Sequence, residues 1–345
     1  MTRHVVPPYL LARLAEAGDR FDRAARAARA GLAGWEAVAT HRDDAPPSAV
    51  PGRTGGLDRT ISDADGREVL PGRTVRTEGG PATDDVATTE AYDGLGATYA
   101  LFAEVYGRSS IDGEGLPLLA TVHYGDDYDN AFWDGERMVF GDGDGEVFRR
   151  FTASLSVIGH ELAHGFTQYT TNLAYRGQSG ALNESVSDVF GALVEQYAAG
   201  QTVDEASWLV GEGLFTDAVQ GRALRSMAAP GTAYDDDVLG TDPQPGHLDD
   251  LVVTDQDAGG VHINSGIPNR AFHQVATALG GHAWERAGQV WYDAVTAGTL
   301  PATADFVRFA AATLEAAVAR YGAGSDEARA VVTGWTAVGL PLDPA

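Results

Sequence analysis

The stretch VIGHELAHGF, residues 157–166, sets His160, Glu161 and His164 inside a run that otherwise reads as a buried helix, with Val157, Ile158, Leu162, Ala163 and Phe166 at helical spacing. Imidazoles and a carboxylate are poor packing material, so their burial needs compensation. On a helix of about 3.6 residues per turn, positions four apart share one face, and the two rings stand one above the other. Two imidazole nitrogens so placed can hold one Zn²⁺, with Glu161 facing the space where its water would sit. Taken alone, the motif also fits a structural helix whose histidines are satisfied internally.

A zinc site built on two histidines needs a third ligand and a free position. The run SGALNESVSD, residues 179–188, offers one: Glu184 lies 20 residues past His164, and Asp188 falls four residues later on the same helix face. Glu184 can be the third ligand, and Asp188 can accept the spare N–H of a liganding histidine. The alternative is a solvated acidic face, against which Leu182, Val186, Val189 and Phe190 argue.

Composition narrows the chemistry. The 345 residues include no cysteine, so disulfides, thiolate ligands and a cysteine nucleophile are excluded together, and any metal must use His, Asp or Glu. All 24 basic residues are arginine against 49 acids, for a net charge of -25. Such a chain would be repelled by phosphate, which excludes a nucleic-acid partner. No run of eighteen apolar residues is present, so no membrane partner is expected either. The charge is uneven: residues 1–42 hold seven arginines and four acids, a basic head on an acidic body. Opposite charge favours docking of the one onto the other. MTRHVVPPYLLARLAEAG lacks the form of a signal peptide, because Pro7-Pro8 breaks its short apolar patch.

The chain divides into three stretches. Residues 10–39 have Ala, Arg and Glu at helical spacing, interrupted at Gly18 and Gly31, and HRDDAPPSAVPGRTGG (41–56) reads as an exposed linker. From Thr60 to about Phe151 the signals are of strands and turns, LLATVHYG (118–125) and RMVFGDGDG (137–145) among them, with one helix over 89–106. DGDG, residues 142–145, reads as a glycine-rich hairpin turn rather than a calcium loop. Beyond Leu155 helices dominate, at roughly 155–169, 181–199, 268–279, 283–297, 302–321 and 325–336. A β-rich half followed by a helical half predicts an α+β protein of two lobes with a cleft between them.

HELAH, then GALNESVSD, then GGVHINSGIPNRA (259–271), in that order, resemble the thermolysin family of neutral zinc metalloendopeptidases. The likeness extends upstream through VHYGDDYDNAFWDGERMVFGDGDG (122–145) and downstream through ALRSM (223–227), covering roughly residues 60–340. It implies a zincin fold: residues 1–50 as a short basic propeptide and linker, 51–174 as a β-rich catalytic lobe, and 175–345 as a helical lobe. It implies one catalytic Zn²⁺ on His160, His164 and Glu184, with Glu161 as general base. His262 and Tyr175 match the family's donors to the oxyanion, and Asp257 matches the acid that orients the histidine. Asn183 and Asp188 match partners of the liganding histidines; Asn130, Ala131 and Arg225 match groups that hold the substrate backbone. The pocket after the scissile bond maps onto Phe148, Phe151, Val157, Val210, Leu214 and Leu224, all apolar, so Leu, Phe or Ile is expected there. The substrates implied are peptides or proteins, and the chain is expected to be a monomer.

Two features depart from the calcium-rich relatives. Where they carry clustered carboxylates, this chain has Ser156, Ser207 and Leu209, with Glu195 and Glu212 left, and a further calcium position of the family reads Arg222, so at most one weak Ca²⁺ site is expected. HVVPPYLL (4–11) resembles the short Pro-Pro motif of the protealysin-like branch, which implies a propeptide that inhibits its own enzyme until it is cut, here between Asp43 and Gly56. The family implies secretion; without a recognisable signal peptide, a cytoplasmic enzyme is the alternative. A dead binding protein on this fold should have lost Glu161 or a ligand, and a zinc exopeptidase would need an acidic anchor for a free N-terminus.

Overall fold

The computed structural model describes residues 3–39 and 55–342. The expected linker and cleavage stretch lies outside them, save Gly55 and Gly56. Two compact units are present. The first comprises residues 1–165, 211–224 and 234–240, and the second residues 166–210, 225–233 and 241–345.

The first unit opens with β1 (Arg3–His4), α1 (Pro8–Ala15) and α2 (Asp22–Ala39). Pro8 starts α1 because a first-turn residue needs no amide hydrogen there. Gly18 lies between the helices as expected, but Gly31 does not interrupt: α2 runs through it. A Cβ on Gly31 would sit 3.3 Å from the Leu11 side chain, so the glycine is kept for the close approach of the two helices.

Then come β2 (Arg59–Asp63), β3 (Arg73–Thr77), α3 (Val86–Ala100), β4 (Leu118–Val122), β5 (Ala131–Trp133), β6 (Met138–Phe140) and α4 (Leu155–Gln168). The sheet order is β1-β5-β6-β4-β2-β3. The β4 strand runs parallel to β2 and β6, and the other neighbours are antiparallel. The β4 strand is central and nearly all buried, as its β-branched run predicts. Helix α3 packs on β2 and β4; the Asp85 carboxylate caps its first turn by accepting the Thr88 N–H, which moves its start ahead of the expected 89. The β5–β6 hairpin closes through Asp134–Arg137, not through DGDG. DGDG follows β6 as a loop in which Asp144 accepts the N–H groups of Glu146, Val147 and Phe148.

The second unit is helical: α5 (Gly177–Ala199), α6 (Asp257–Asn264), α7 (Gly266–Leu279), α8 (Ala287–Thr296), α9 (Phe306–Tyr321) and α10 (Asp326–Thr336). Trp291 and Trp335 stack at 6.2 Å with Phe309 edge-on, and Trp335 Nε1 donates to Thr313, giving the buried indole its partner. Helix α6 was not foreseen. Its backbone is not right-handed at Ala258, Gly259 and Gly260.

Candidate active site

Helix α4 carries the first cluster. His160, Glu161 and His164 are fully buried, and their potential ligand atoms lie within 4.8 Å of one another. The two imidazole centroids are 4.7 Å apart with the rings nearly perpendicular, the geometry that four-residue helical spacing produces. Glu161 Oε2 accepts the backbone N–H of Trp133 at 2.9 Å, so strand β5 fixes the carboxylate. A backbone donor leaves no residue signature, and the sequence could not reveal this contact.

The second unit carries another cluster. Tyr175 donates its hydroxyl hydrogen to Glu184 and lies 3.2 Å from His262 Nε2. His262 Nδ1 is 2.6 Å from Asp257, whose other oxygen accepts the His262 backbone N–H at 2.8 Å. Burial alone would discharge this imidazole, but the charges of Glu184 and Asp257 outweigh it and raise its pKa to about 9. The backbone pays for this placement with strain. Asp257, Ala258, Gly259 and Gly260 have φ of 51°, 50°, 90° and 76°, four consecutive left-handed residues.

Helix α5 contributes Asn183, Glu184 and Asp188, all fully buried. A Cβ on Gly180 would meet Val261 at 2.4 Å, so only glycine lets α5 lie this close to α6. Asn183 donates to the Leu173 carbonyl at 3.0 Å. Asp188 accepts Arg225 Nε at 2.8 Å and Nη2 at 2.9 Å, a buried bidentate pair, and also Asn269 at 2.8 Å. Asn269, inside the quoted GIPNRA run, was not singled out by the sequence, nor was Gln244, which donates to the His262 carbonyl at 2.7 Å.

The edge of β5 is already paired. His4 faces Phe132 in the register of β1, and Val5 N–H donates to the Ala131 carbonyl at 3.1 Å. Asn130 accepts the Val6 N–H at 2.9 Å and donates to the Val6 carbonyl at 3.4 Å. Of the six expected pocket residues, Phe148, Phe151, Val157, Leu214 and Leu224 belong to the first unit and Val210 to the second. All are buried; Phe148 and Phe151 pack at 5.5 Å, and Leu214 and Leu224 flank Gly211.

Against this geometry, two family models match: the thermolysin metallopeptidase catalytic domain over residues 62–168 and its alpha-helical domain over 171–340. The chain belongs to the thermolysin family of metallopeptidases. It is 50% identical over 338 residues to an extracellular metalloprotease of Pectobacterium carotovorum subsp. carotovorum, covering 98% of this chain and 96% of that one. It is 38% identical to a thermolysin of Alicyclobacillus acidocaldarius subsp. acidocaldarius over 81% of this chain and 50% of the relative. Among solved structures, the precursor of protealysin from Serratia proteamaculans superposes with a TM-score of 0.89 at 49% identity, covering 98% of this chain and 99% of that one.

As a thermolysin-family metallopeptidase, the protein is a hydrolase acting on peptide bonds, with a sheet-rich N-terminal part and a helical C-terminal domain. The family is zinc-dependent, and the donor set on α4 suits that ion: two imidazoles four residues apart with a carboxylate beside them.

Proposed function

We propose that this protein is a zinc endopeptidase that cuts on the N-terminal side of Leu, Phe or Ile and is made as a latent precursor. The observation that carries the enzymatic reading is the buried His160, Glu161 and His164 set on α4, with Glu161 fixed by the Trp133 N–H. His160, His164 and Glu184 would hold the ion, which when bound supplies Lewis acidity and an acidified water. Glu161, acceptor-only while ionised, takes a proton at its carboxylate and returns it to the leaving amine. His262, kept protonated by Asp257, and the Tyr175 hydroxyl donate to the developing oxyanion of the scissile carbonyl. Asn130, Ala131 and Arg225 hold the substrate backbone, and Asn183 and Asp188 support the ligand set. The apolar character of Phe148, Phe151, Val157, Val210, Leu214 and Leu224 supports a preference worth about 1.5–3 kcal/mol for a Leu-sized side chain. Calcium, if bound, is held at no more than one weak site.

Latency is supported by what lies on β5. Residues 4–6 pair with Phe132, Ala131 and Asn130, the groups an extended substrate would use. Charge holds the rest of the head. Arg23 Nε donates to Asp127 at 3.0 Å, and Glu146 caps the start of α2 by accepting the Arg23 N–H at 2.9 Å. Removal of this segment frees the edge, and secretion fits the relatives named extracellular metalloproteases.

The test compares the wild type with Glu161→Ala on an end-blocked peptide containing Gly-Leu, with bound zinc quantified in both. The wild type, once its head is removed, is expected to cleave before Leu; Glu161→Ala keeps zinc and loses at least about 10²-fold in rate. Cleavage by Glu161→Ala at the wild-type rate would remove Glu161 from the mechanism. A requirement for a free N-terminus would replace the endopeptidase by an exopeptidase.

A further inference from the structure

Beside Asn130 lies a second pair of acids that the proposed reaction does not use. Asp129 and Asp144 are both buried, with exposures of 3% and 0%. Asp144 is well served: Oδ1 accepts the N–H groups of Glu146 at 2.5 Å and Val147 at 2.6 Å, and Oδ2 accepts that of Phe148 at 3.3 Å. Asp129 is not. Its Oδ1 accepts the Asp144 N–H at 2.8 Å, while no donor among the described residues reaches its buried Oδ2. The bond from the Asp144 N–H brings the Asp144 side chain within hydrogen-bonding reach of the Asp129 carboxyl.

Among the described residues, the charged groups around them offer Asp129 no cation. Arg23, at the start of α2, is engaged by Asp127; Glu146 accepts the Arg23 and Ala24 N–H groups; Asp127 adds another negative charge. Two touching carboxylates, both ionised and both out of water, are far less stable than a pair holding one proton. Three backbone donors select Asp144 as the anion, which leaves the proton on Asp129. A divalent cation is a poorer fit, because the backbone donors already occupy the Asp144 oxygens.

We propose that Asp129 is a protonated positioning residue that shares its hydrogen with Asp144 and so clamps the substrate-binding edge at Asn130 to the loop bearing the pocket residue Phe148. The same two segments are cross-linked by Gly141 N–H to the Asn130 carbonyl at 3.0 Å and Gly143 N–H to the Tyr128 carbonyl at 3.2 Å. The carboxyl pair adds the side-chain tie at the point where the loop turns. Burial first, and then the Asp144 charge, push the Asp129 pKa well above the usual carboxylate range, in agreement. The link to substrate rests on the peptidase reading; the shared proton does not.

The experiment has two arms. In the first, the full chain carrying Glu161→Ala, which prevents self-digestion, is unfolded in urea from pH 4.5 to 8, alone and with Asp129→Asn or Asp129→Ala. A carboxyl whose folded pKa is raised binds a proton that the unfolded chain sheds. Its contribution is therefore full at acid pH and lost as pH rises, by up to about tenfold in the folding equilibrium per pH unit. Asp129→Asn cannot ionise, so it is expected to gain on its parent steadily with pH, whereas Asp129→Ala is destabilised throughout. A difference between Asp129→Asn and its parent that does not change with pH overturns the shared proton, and so does an Asp129→Asn as unstable as Asp129→Ala. Loss of parent stability on adding a chelator of divalent cations, abolished by Asp129→Asn, would instead indicate a cation.

In the second arm, on chains with Glu161 intact and the head removed, Asp129→Ala is expected to raise KM about fivefold with a smaller change in kcat, and Asp129→Asn to restore it. An unchanged KM in Asp129→Ala overturns the positioning role. If no chain cleaves, the peptidase reading fails, and the unfolding series still decides on the proton.

Discussion

The two polar clusters of this molecule are built by opposite means. His160, Glu161 and His164 ride on a regular helix, where the four-residue spacing alone brings the rings to 4.7 Å. Asp257 begins a run of four consecutive left-handed residues that leads to His262, and two of the four carry a Cβ at a cost of about 1–2 kcal/mol each. That turn is held from outside. Asn264 exchanges two hydrogen bonds of 2.9 Å with the backbone of Val252, and Gln244 grips the His262 carbonyl. A metal ligand set repeats with the helix and needs no strain, whereas a carboxylate aimed at an imidazole five residues away on a short helix does.

The largest effect expected from this contrast is catalytic. On the proposed mechanism, His262→Ala removes an oxyanion donor and should lower kcat about 10²–10³-fold while bound zinc stays level. Zinc analysis beside steady-state kinetics checks both halves. A variant with normal kcat, or one that loses its zinc, would merge the two clusters into one structural unit.

Next in size is Gly260→Ala. The residue has φ +76°, and an added Cβ would lie 2.8 Å from Asn264 Nδ2, the clamp itself. We expect a loss of about 2–3 kcal/mol in urea unfolding together with a fall in kcat. Stability at the wild-type level would show that the turn tolerates a right-handed alternative.

His123 sharpens the comparison as a histidine held by two carboxylates without chemistry. Like Asp257 it is left-handed, at φ 55°, with Nδ1 2.8 Å from Asp142 and Nε2 3.3 Å from Asp85. The Asp142 hydrogen bond, offset in part by burial, raises its pKa from 6.5 to about 9, with Asp85 helping. Because the folded value is the higher one, its stabilisation is full below pH 6.5 and lost as pH rises through about 9. Partial exposure discounts the gain to about 1 kcal/mol. His123→Gln should therefore melt below the wild type at pH 6 and together with it near pH 10, at unchanged kcat/KM. A melting gap that persists at the alkaline end would assign the loss to packing.

This contrast also explains what the sequence could reveal. The buried imidazoles and carboxylates of α4 and α5 were legible because helical periodicity converts spacing directly into a shared face, and apolar neighbours at the same period announced burial. The β4 and β6 strands were legible from β-branched and aromatic residues bounded by glycine and aspartate. Helix α6 was not, since two adjacent glycines signal a break whether the chain bends away or winds left-handed. DGDG was misread as a hairpin turn because glycine and aspartate mark any tight loop; only the tertiary structure shows Asp144 gathering three backbone donors. The pairing of Val6 with Asn130 spans 124 residues, and no local pattern encodes it.

The smallest expected effect tests the strain itself. Ala258 occupies φ 50° without glycine's freedom, so Ala258→Gly should relieve about 1 kcal/mol in the folded state. Glycine also enlarges the conformational freedom of the unfolded chain, which takes back a comparable part, so the net gain should be about 0.5 kcal/mol or less. The informative quantity is the balance between stability and rate. If strain serves only to aim Asp257 at His262, relaxing it loosens the carboxylate, and kcat falls about twofold while stability holds or rises. If the surrounding clamp of Asn264 and Val252 aims it unaided, Ala258→Gly gains stability at unchanged kcat, and the left-handed turn is a consequence of the packing around it rather than a device of the site.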